Sequence, residues 1–212
     1  MLNVIIPLAG TGTRFLSDGY WRPKPFIKAM GKELIVWLVE NLSLRSTDVV
    51  VLVYNQNPEI GLSPANFFEI LEDSFSRAQA RPNVIQTCID RPTVGAAETV
   101  LYGINSLPQS RQSAPCVLVD GDTFYTADIL STYRNKLASI NLDSPEHRRG
   151  GCVFVFDDDK PNESPYSYVK VIDGSGQRVV SIKEKDKSDA SPLACSGCYC
   201  FHHTGTLLKE IY

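Results

Sequence analysis

The chain has 212 residues, of which 43% are hydrophobic, and its 21 basic and 24 acidic side chains leave a net charge of -3, so it is long enough for one large α/β core but carries no basic footprint for a nucleic-acid backbone. No apolar run approaches the ~20 residues of a membrane span, and the start, Met1-Leu-Asn-Val, has no basic leader pattern. Neither nucleic acid nor membrane is therefore expected as a partner, and a cytoplasmic location is expected.

Asn3 to Leu8 is a nearly unbroken apolar run, the pattern of a strand buried on both faces in the middle of a parallel sheet. It leads straight into Gly10-Thr11-Gly12-Thr13-Arg14, and Lys24 follows inside Pro23-Lys24-Pro25. Two glycines permit a tight loop whose backbone N–H groups form an anion-binding concavity, and a guanidinium beside it can grip phosphate oxygens bidentately. A phosphorylated ligand is expected there. The spacing excludes a dinucleotide fingerprint, because its third glycine would fall on Phe15, and a P-loop, because no Gly-Lys-Ser/Thr closes the motif.

Downstream, Glu33 to Leu42 places Leu34, Ile35, Leu38, Val39 and Leu42 at helical spacing, with Trp37 off that stripe. Asp48 to Tyr54 reads as a second buried strand, Ala65 to Gln79 as a helix with Phe68, Leu71 and Phe75 inward, and Asn83 to Cys88 as a third strand. This alternation predicts a doubly wound, mostly parallel sheet. Thr93-Val-Gly-Ala-Ala opens the next helix with small residues at its mouth, where Gly95 and Ala96 would let a flat base approach the backbone. The alternative is glycine for close helix–sheet packing.

Pro115 to Val119 is a further apolar strand, followed by Asp120-Gly121-Asp122. Ligands of open α/β sheets bind at the strands' carboxyl ends, a period of two points both carboxylates to one side, and hard oxygens facing phosphates select Mg²⁺. Helix capping is the competing use of an aspartate here, with Asp128 another candidate. Asn141 to Gly151 reads as a polar surface loop, Gly151 to Phe156 as a strand, and Asp157-Asp158-Asp159 as a solvated acidic turn. Pro165 to Val171 and Arg178 to Ile182 flank the turn residues Asp173-Gly-Ser-Gly176 as an accessory hairpin, then Lys183-Glu184-Lys185 and Gly197 to Phe201 follow.

Cys88, Cys116 and Cys152 sit in or beside these strands and are read as core thiols. Cys195, Cys198 and Cys200, with His202 and His203 nearby, offer a zinc alternative to buried strand positions.

The Gly-x-Gly-Thr-Arg loop with its following lysine, the aspartate triplet, and the order Tyr-x-x-Val, hairpin, Glu-Lys, Gly-x-Tyr-x-Phe together resemble the nucleotidylyltransferases that join a nucleoside triphosphate to a sugar phosphate or a phosphorylated amino alcohol. The resemblance runs from Asn3 to Phe201 and implies a Rossmann-like α/β nucleotidyltransferase fold. It implies that Arg14, Lys24 and Asp122 are catalytic, with Asp122 holding Mg²⁺ and Asp120 supporting it. Leu8, Ala9, Gly10, Thr11, Gly12, Thr13, Gln86, Gly95 and Ala96 would bind the nucleotide, and Glu184, Lys185 and Tyr166 the acceptor. The family's proline after the lysine is Asp186 here. The family continues with another strand–helix segment bearing a second metal-binding aspartate, so the chain is expected to be a single nucleotidyltransferase domain (1–212), truncated at its C-terminal end or part of a longer protein.

The implied reaction is attack of an acceptor phosphate oxygen on the α-phosphorus of the triphosphate, with release of pyrophosphate. Positioning and charge neutralisation would supply the catalysis, because the nucleophile is already ionised. Two rivals remain open at this point. A glycosyltransferase of similar fold would use Asp120-Gly121-Asp122 as its metal motif, and a nucleotide-binding regulatory subunit would keep the fold without turnover. The base, the acceptor and assembly into a homo-oligomer are also open.

Overall fold

The structure is a computed structural model that describes residues 1–10, 12, 15, 17–20, 23–55, 69, 71–72, 81–159, 165–172, 178–186 and 192–211. Within these, the strands are β1 (Asn3–Pro7), β2 (Lys28–Ala29), β3 (Lys32–Glu33), β4 (Val49–Asn55), β5 (Asn83–Ile89), β6 (Cys116–Val119), β7 (Gly151–Asp157), β8 (Ser167–Val171), β9 (Val179–Glu184) and β10 (Leu193–Phe201). The helices are α1 (Leu34–Asn41), α2 (Ala96–Asn105), α3 (Ile129–Ala138), α4 (Pro145–Arg148) and α5 (Thr204–Ile211). The residues form two compact units, one of Met1–Gly151 with Cys200–Tyr212, the other of Cys152–Tyr199.

In the first unit β5, β4, β1 and β6 lie side by side in that order and all pair in parallel. Ile5, Val51, Val53 and Cys116 share a core with Val100 and Ile104 of α2 and Leu207 of α5. The alternate residues Val4, Ile6, Val50, Leu52 and Val117 are equally inaccessible, and α1 and α3 add Ile35, Leu38, Leu130 and Tyr133 to the buried set. Both faces are thus covered, which is why these strands read as unbroken apolar runs. The chain moves to one side of β1 for β4 and β5 and to the other for β6, so β1 and β6 flank the point where the winding reverses. In open α/β sheets that crevice receives ligands. α2 lies close on the sheet at Gly103, where a Cβ would come within 2.8 Å of Val53 and 2.9 Å of Ile5.

The second unit is antiparallel where β8 meets β9 and β10, and it contains the expected accessory hairpin. The turn residues Asp173 to Gly176 lie outside the described residues, as does most of the helix expected at 65–79, of which Glu69, Leu71 and Glu72 are helical.

Four local expectations change. β6 ends at Val119, so Asp120 and Asp122 sit in a turn closed by Thr123 N donating to Asp120 O at 3.4 Å, rather than on a strand of period two. The polar segment after Asn141 contains α4, started by Pro145 at its first position, where the missing N–H costs nothing. Asp158 is not solvated. It is buried and accepts a 2.7 Å hydrogen bond from Tyr168 Oη. Cys88 is exposed rather than in the core, on β5 at the end of the strand order. Cys116, by contrast, has its thiol pushed up to about 12 by burial.

The first unit is pinned at the strands' amino end by Asp48. This fully buried carboxylate accepts from Leu2 N and Arg45 N, each at 2.9 Å, and pairs with Arg134 of α3. Removing one partner of a buried pair leaves the other charge unpaired in a poor solvent. Asp48→Ala is expected to lower unfolding free energy by about 3–5 kcal/mol, read from urea titration, and a loss under about 1 kcal/mol would mean that Arg134 finds water instead.

Candidate active site

Beyond β1 the chain turns at Leu8-Ala9-Gly10, with Leu8 N donating to Val53 O at 2.7 Å. Beyond β6 it turns at Asp120-Gly121-Asp122, and beyond β5 Pro92 and Thr93 lead to Gly95 at the mouth of α2. These three turns, with Lys24 and Pro25, line a cleft of about 460 Å³. Lys24 opens a short 3-10 turn, Lys24–Phe26, with Pro25 and Phe26 buried beneath it, and its ammonium pairs with the Asp122 carboxylate. Both side chains stay about one-third exposed, at 32% and 36%. Lys24 Nζ also stands 5.5 Å from the Phe15 ring centroid.

Asp120 opens onto the same cleft. The protein packed around it disfavours its charged form, and the neighbouring Asp122 carboxylate adds to this while Lys24 opposes it, so its carboxyl is pushed up to about 6. Capping is served elsewhere: Asp128 accepts from Ser131 N at 3.0 Å and caps α3. Asp120 and Asp122 are two hard oxygen donors side by side, one of them reluctant to ionise without a further cation. That donor chemistry fits a divalent hard metal.

Different glycines here answer different constraints. At Gly121 a Cβ would come 2.1 Å from Leu8 Cδ2, and Gly12 has φ +62° with Lys24 Cβ only 3.6 Å from its own would-be Cβ. At Gly95 and Gly10 a Cβ would meet nothing within 4 Å. Gly95 is extended, at φ 172°, so no backbone strain requires it. The helix–sheet packing alternative for Gly95 belongs to Gly103, and Gly95 keeps the cleft clear. Behind it, Glu98 in the first turn of α2 accepts from Val94 N at 2.7 Å and from Arg91 at 2.6 Å, and these bonds hold its carboxyl below its ordinary range.

Leu8, Ala9, Gly10, Lys24, Gly95, Ala96, Asp120 and Asp122 therefore converge on one cleft, with Gly12 beside Lys24. Gln86 does not line it. It sits on β5 and accepts from Tyr54 Oη at 3.1 Å. Thr11, Thr13 and Arg14 lie outside the described residues. In the second unit, Lys185 N donates to Tyr166 O at 2.9 Å and Ser167 Oγ to Glu184, so Tyr166, Glu184 and Lys185 are neighbours. Lys185 holds a left-handed φ of 52°, and Tyr166 meets Phe156 edge to face at 5.1 Å.

Sequence reading missed Pro7, Pro92, Thr93 and Thr99 as cleft residues. Thr93 and Thr99 hydroxyls bond at 2.8 Å, and a threonine on the inward stripe of an otherwise apolar helix was the available signal. Among the described residues the groups of the zinc alternative do not gather into a metal site. Cys195, Cys198 and Cys200 are buried along β10, and His203 Nδ1 accepts from Thr206 N at 3.2 Å at the start of α5.

No family model matches the chain. A Methanocaldococcus jannaschii protein assigned as a UTP–glucose-1-phosphate uridylyltransferase is 23% identical over 217 residues, covering 93% of this chain and 71% of that protein. Among solved structures, the nucleoside-diphosphate-sugar pyrophosphorylase of Vibrio cholerae matches with a TM-score of 0.71 at 19% identity, over 97% of this chain and 75% of its own. The fold is that of the nucleotide-sugar pyrophosphorylases. A Bacillus anthracis protein assigned as a glucose-1-phosphate thymidylyltransferase has the same pyrophosphorylase fold, with a TM-score of 0.68 at 15% identity over 95% of this chain and 72% of its own. A UDP-glucose pyrophosphorylase complexed with UDP-glucose matches at 0.66 and 18%, over 95% and 76%.

Gly121→Ala is expected to cost about 1–3 kcal/mol of stability, because Leu8 must move. Gly95→Ala should leave the melting temperature unchanged while weakening nucleotide binding roughly tenfold or more, since a methyl enters the cleft. Calorimetry on the two variants separates them. Asp120 gives a pH signature: its folded value lies above the ordinary 3.8, so the folded state binds more protons between these values. Stability from this group is full below about pH 4 and is lost as pH rises through about 6. Melting in chelator should show that decline in the parent protein and a flatter profile in Asp120→Asn.

Proposed function

We propose that this chain is a nucleotidylyltransferase that joins a nucleoside triphosphate to a phosphorylated sugar or a similar small phosphorylated acceptor and releases pyrophosphate. The observation that carries the reading is the meeting of Lys24 with Asp122 at the carboxyl ends of β1 and β6, beside Asp120, in a cleft whose far wall is the mouth of α2. A glycosyltransferase reading would account for the aspartates but would leave Lys24 without a use.

The base is assigned to the Gly95–Ala96 wall. Glu98 already places a carboxylate in the first turn of α2, which favours an uncharged heterocycle over a phosphate there. The phosphates then lie towards Gly10, Gly12 and Lys24. Arg14 is assigned to the pyrophosphate portion on the Gly-x-Gly-Thr-Arg pattern. Lys24 draws the α-phosphate and the incoming phosphate together and offsets charge on both. Mg²⁺ would be held by Asp122, with Asp120 beside it, and would supply neutralisation of the phosphate oxygens. Glu184, Lys185 and Tyr166 are assigned to the acceptor, the carboxylate for hydroxyls, the ammonium for phosphate and the ring for an apolar sugar face.

In the transfer, a new bond forms between an acceptor phosphate oxygen and the α-phosphorus as the bond from that phosphorus to the bridging oxygen breaks. Pyrophosphate carries away the electron pair, and no general base is needed. The test is pyrophosphate release with each of five triphosphates, Mg²⁺ and a panel of hexose 1-phosphates and phosphocholine. One triphosphate should support turnover, and Lys24→Ala and Asp122→Ala should each lower kcat about a hundredfold or more while remaining folded. Unchanged turnover in either variant removes the role given to that residue. Absence of turnover with every triphosphate and acceptor in the parent protein rejects the reading, and triphosphate binding without turnover favours the regulatory subunit.

A further inference from the structure

We propose that Trp37 is a positioning residue, which holds the turn bearing Asp122 against the segment bearing Lys24 through the ring of Phe124. Trp37 lies off the buried stripe of α1 and is only half-buried, so core packing does not account for how tightly it is held. Its Nε1 donates to Ala29 O at 2.8 Å, which ties the indole to the β2–β3 hairpin. Lys32 Nζ lies 4.4 Å from its ring centroid and is itself paired with Glu40. A neutral donor bond and a cation on the ring fix the plane of the indole.

Phe124 presents its ring to that fixed plane, with centroids 5.9 Å apart and planes 33° from parallel. It is 49% exposed, so the surrounding core does little to hold it. It follows Asp122 by two residues, between that carboxylate and the buried Tyr125. On the other side, Leu34 N donates to Ile27 O at 3.0 Å, which joins the start of α1 to the chain leaving the Lys24–Phe26 turn.

Trp37 and Lys24 thus ride on one piece of structure, and Phe124 and Asp122 on another. Among the described residues, the ion pair and the ring pair both join the two pieces. A turn held at one point can pivot, whereas two contacts set its direction. The ion pair must open when phosphate draws Lys24 away, and the Trp37–Phe124 contact then remains to keep Asp122 in place. Its catalytic meaning rests on the nucleotidylyltransferase reading, but the positioning itself does not.

The experiment therefore has two readouts. The first is acetylation of Lys24 by an amine-reactive ester, followed by mass spectrometry without substrate. Trp37→Ala and Phe124→Ala should each raise Lys24 labelling several-fold, towards the level in Asp122→Asn, and Trp37→Phe should restore protection. The second is steady-state kinetics with the triphosphate that supports turnover. Each alanine variant should lose roughly tenfold to a hundredfold in kcat with little change in KM for the triphosphate, and the double variant should be no worse than either single one. Labelling at the parent level in both folded alanine variants overturns the proposal, as does a double variant whose losses multiply. If Trp37→Ala does not fold, Phe124→Ala, which removes an exposed ring, decides. If the parent protein turns over nothing, the nucleotidylyltransferase reading fails and the labelling still decides the positioning.

Discussion

The site depends on one ion pair, between Lys24 and Asp122, which joins two turns that are far apart in sequence. Partly exposed pairs add little to folding, and this one leaves about a third of each side chain open. Its value is geometric. Opposite charges are held side by side at the crevice where the parallel sheet reverses its winding. Asp48 and Arg134 show the contrasting case. Their pair is closed to water, has its remaining oxygens satisfied by backbone N–H groups, and anchors the opposite end of the strands. The same chemistry is structural where it is buried and its carboxylate is completed, and open to solvent at the cleft.

Hydrogen-bond completion also separates the aspartates. Asp158 and Asp128 have donors aimed at them, Tyr168 Oη in one case and Ser131 N in the other. Asp120 has instead a like-charged neighbour and protein walls, and its raised proton affinity follows from both. A carboxyl kept uncomfortable by its surroundings is available for a cation.

Much of this was legible in the sequence because parallel strands covered on both faces write themselves as apolar runs, as β1 and β4 do, and because each run ended in residues with few reasons to be there except chemistry. Gly10, Lys24, Gly95, Asp120 and Asp122 stood out in that way and meet in one cleft. What stayed hidden was decided by partners distant in the chain. The burial of Asp158 depends on Tyr168, and β6 stops at Val119 as the Gly121 backbone closes on Leu8, neither of which has a periodicity. Cys88 looked like a core residue because its strand is apolar, but a strand at the end of the order shields its side chains less. Helix α4 has only four residues, too few to repeat a pattern. Trp37 broke the stripe of its helix, and only its contacts with Ala29, Lys32 and Phe124 explain why so large a ring stands there.

The open space at Gly95 also bears on how such a protein would change under selection. Alanine would lower the entropy of the unfolded chain but is a poorer helix N-cap than glycine, so the two effects oppose each other at Gly95 and the fold itself has little preference. A population selected for stability alone would be free to gain a side chain at this position without any sign of misfolding. On the proposed reading it is the bound nucleotide, more than the fold, that holds glycine at this position.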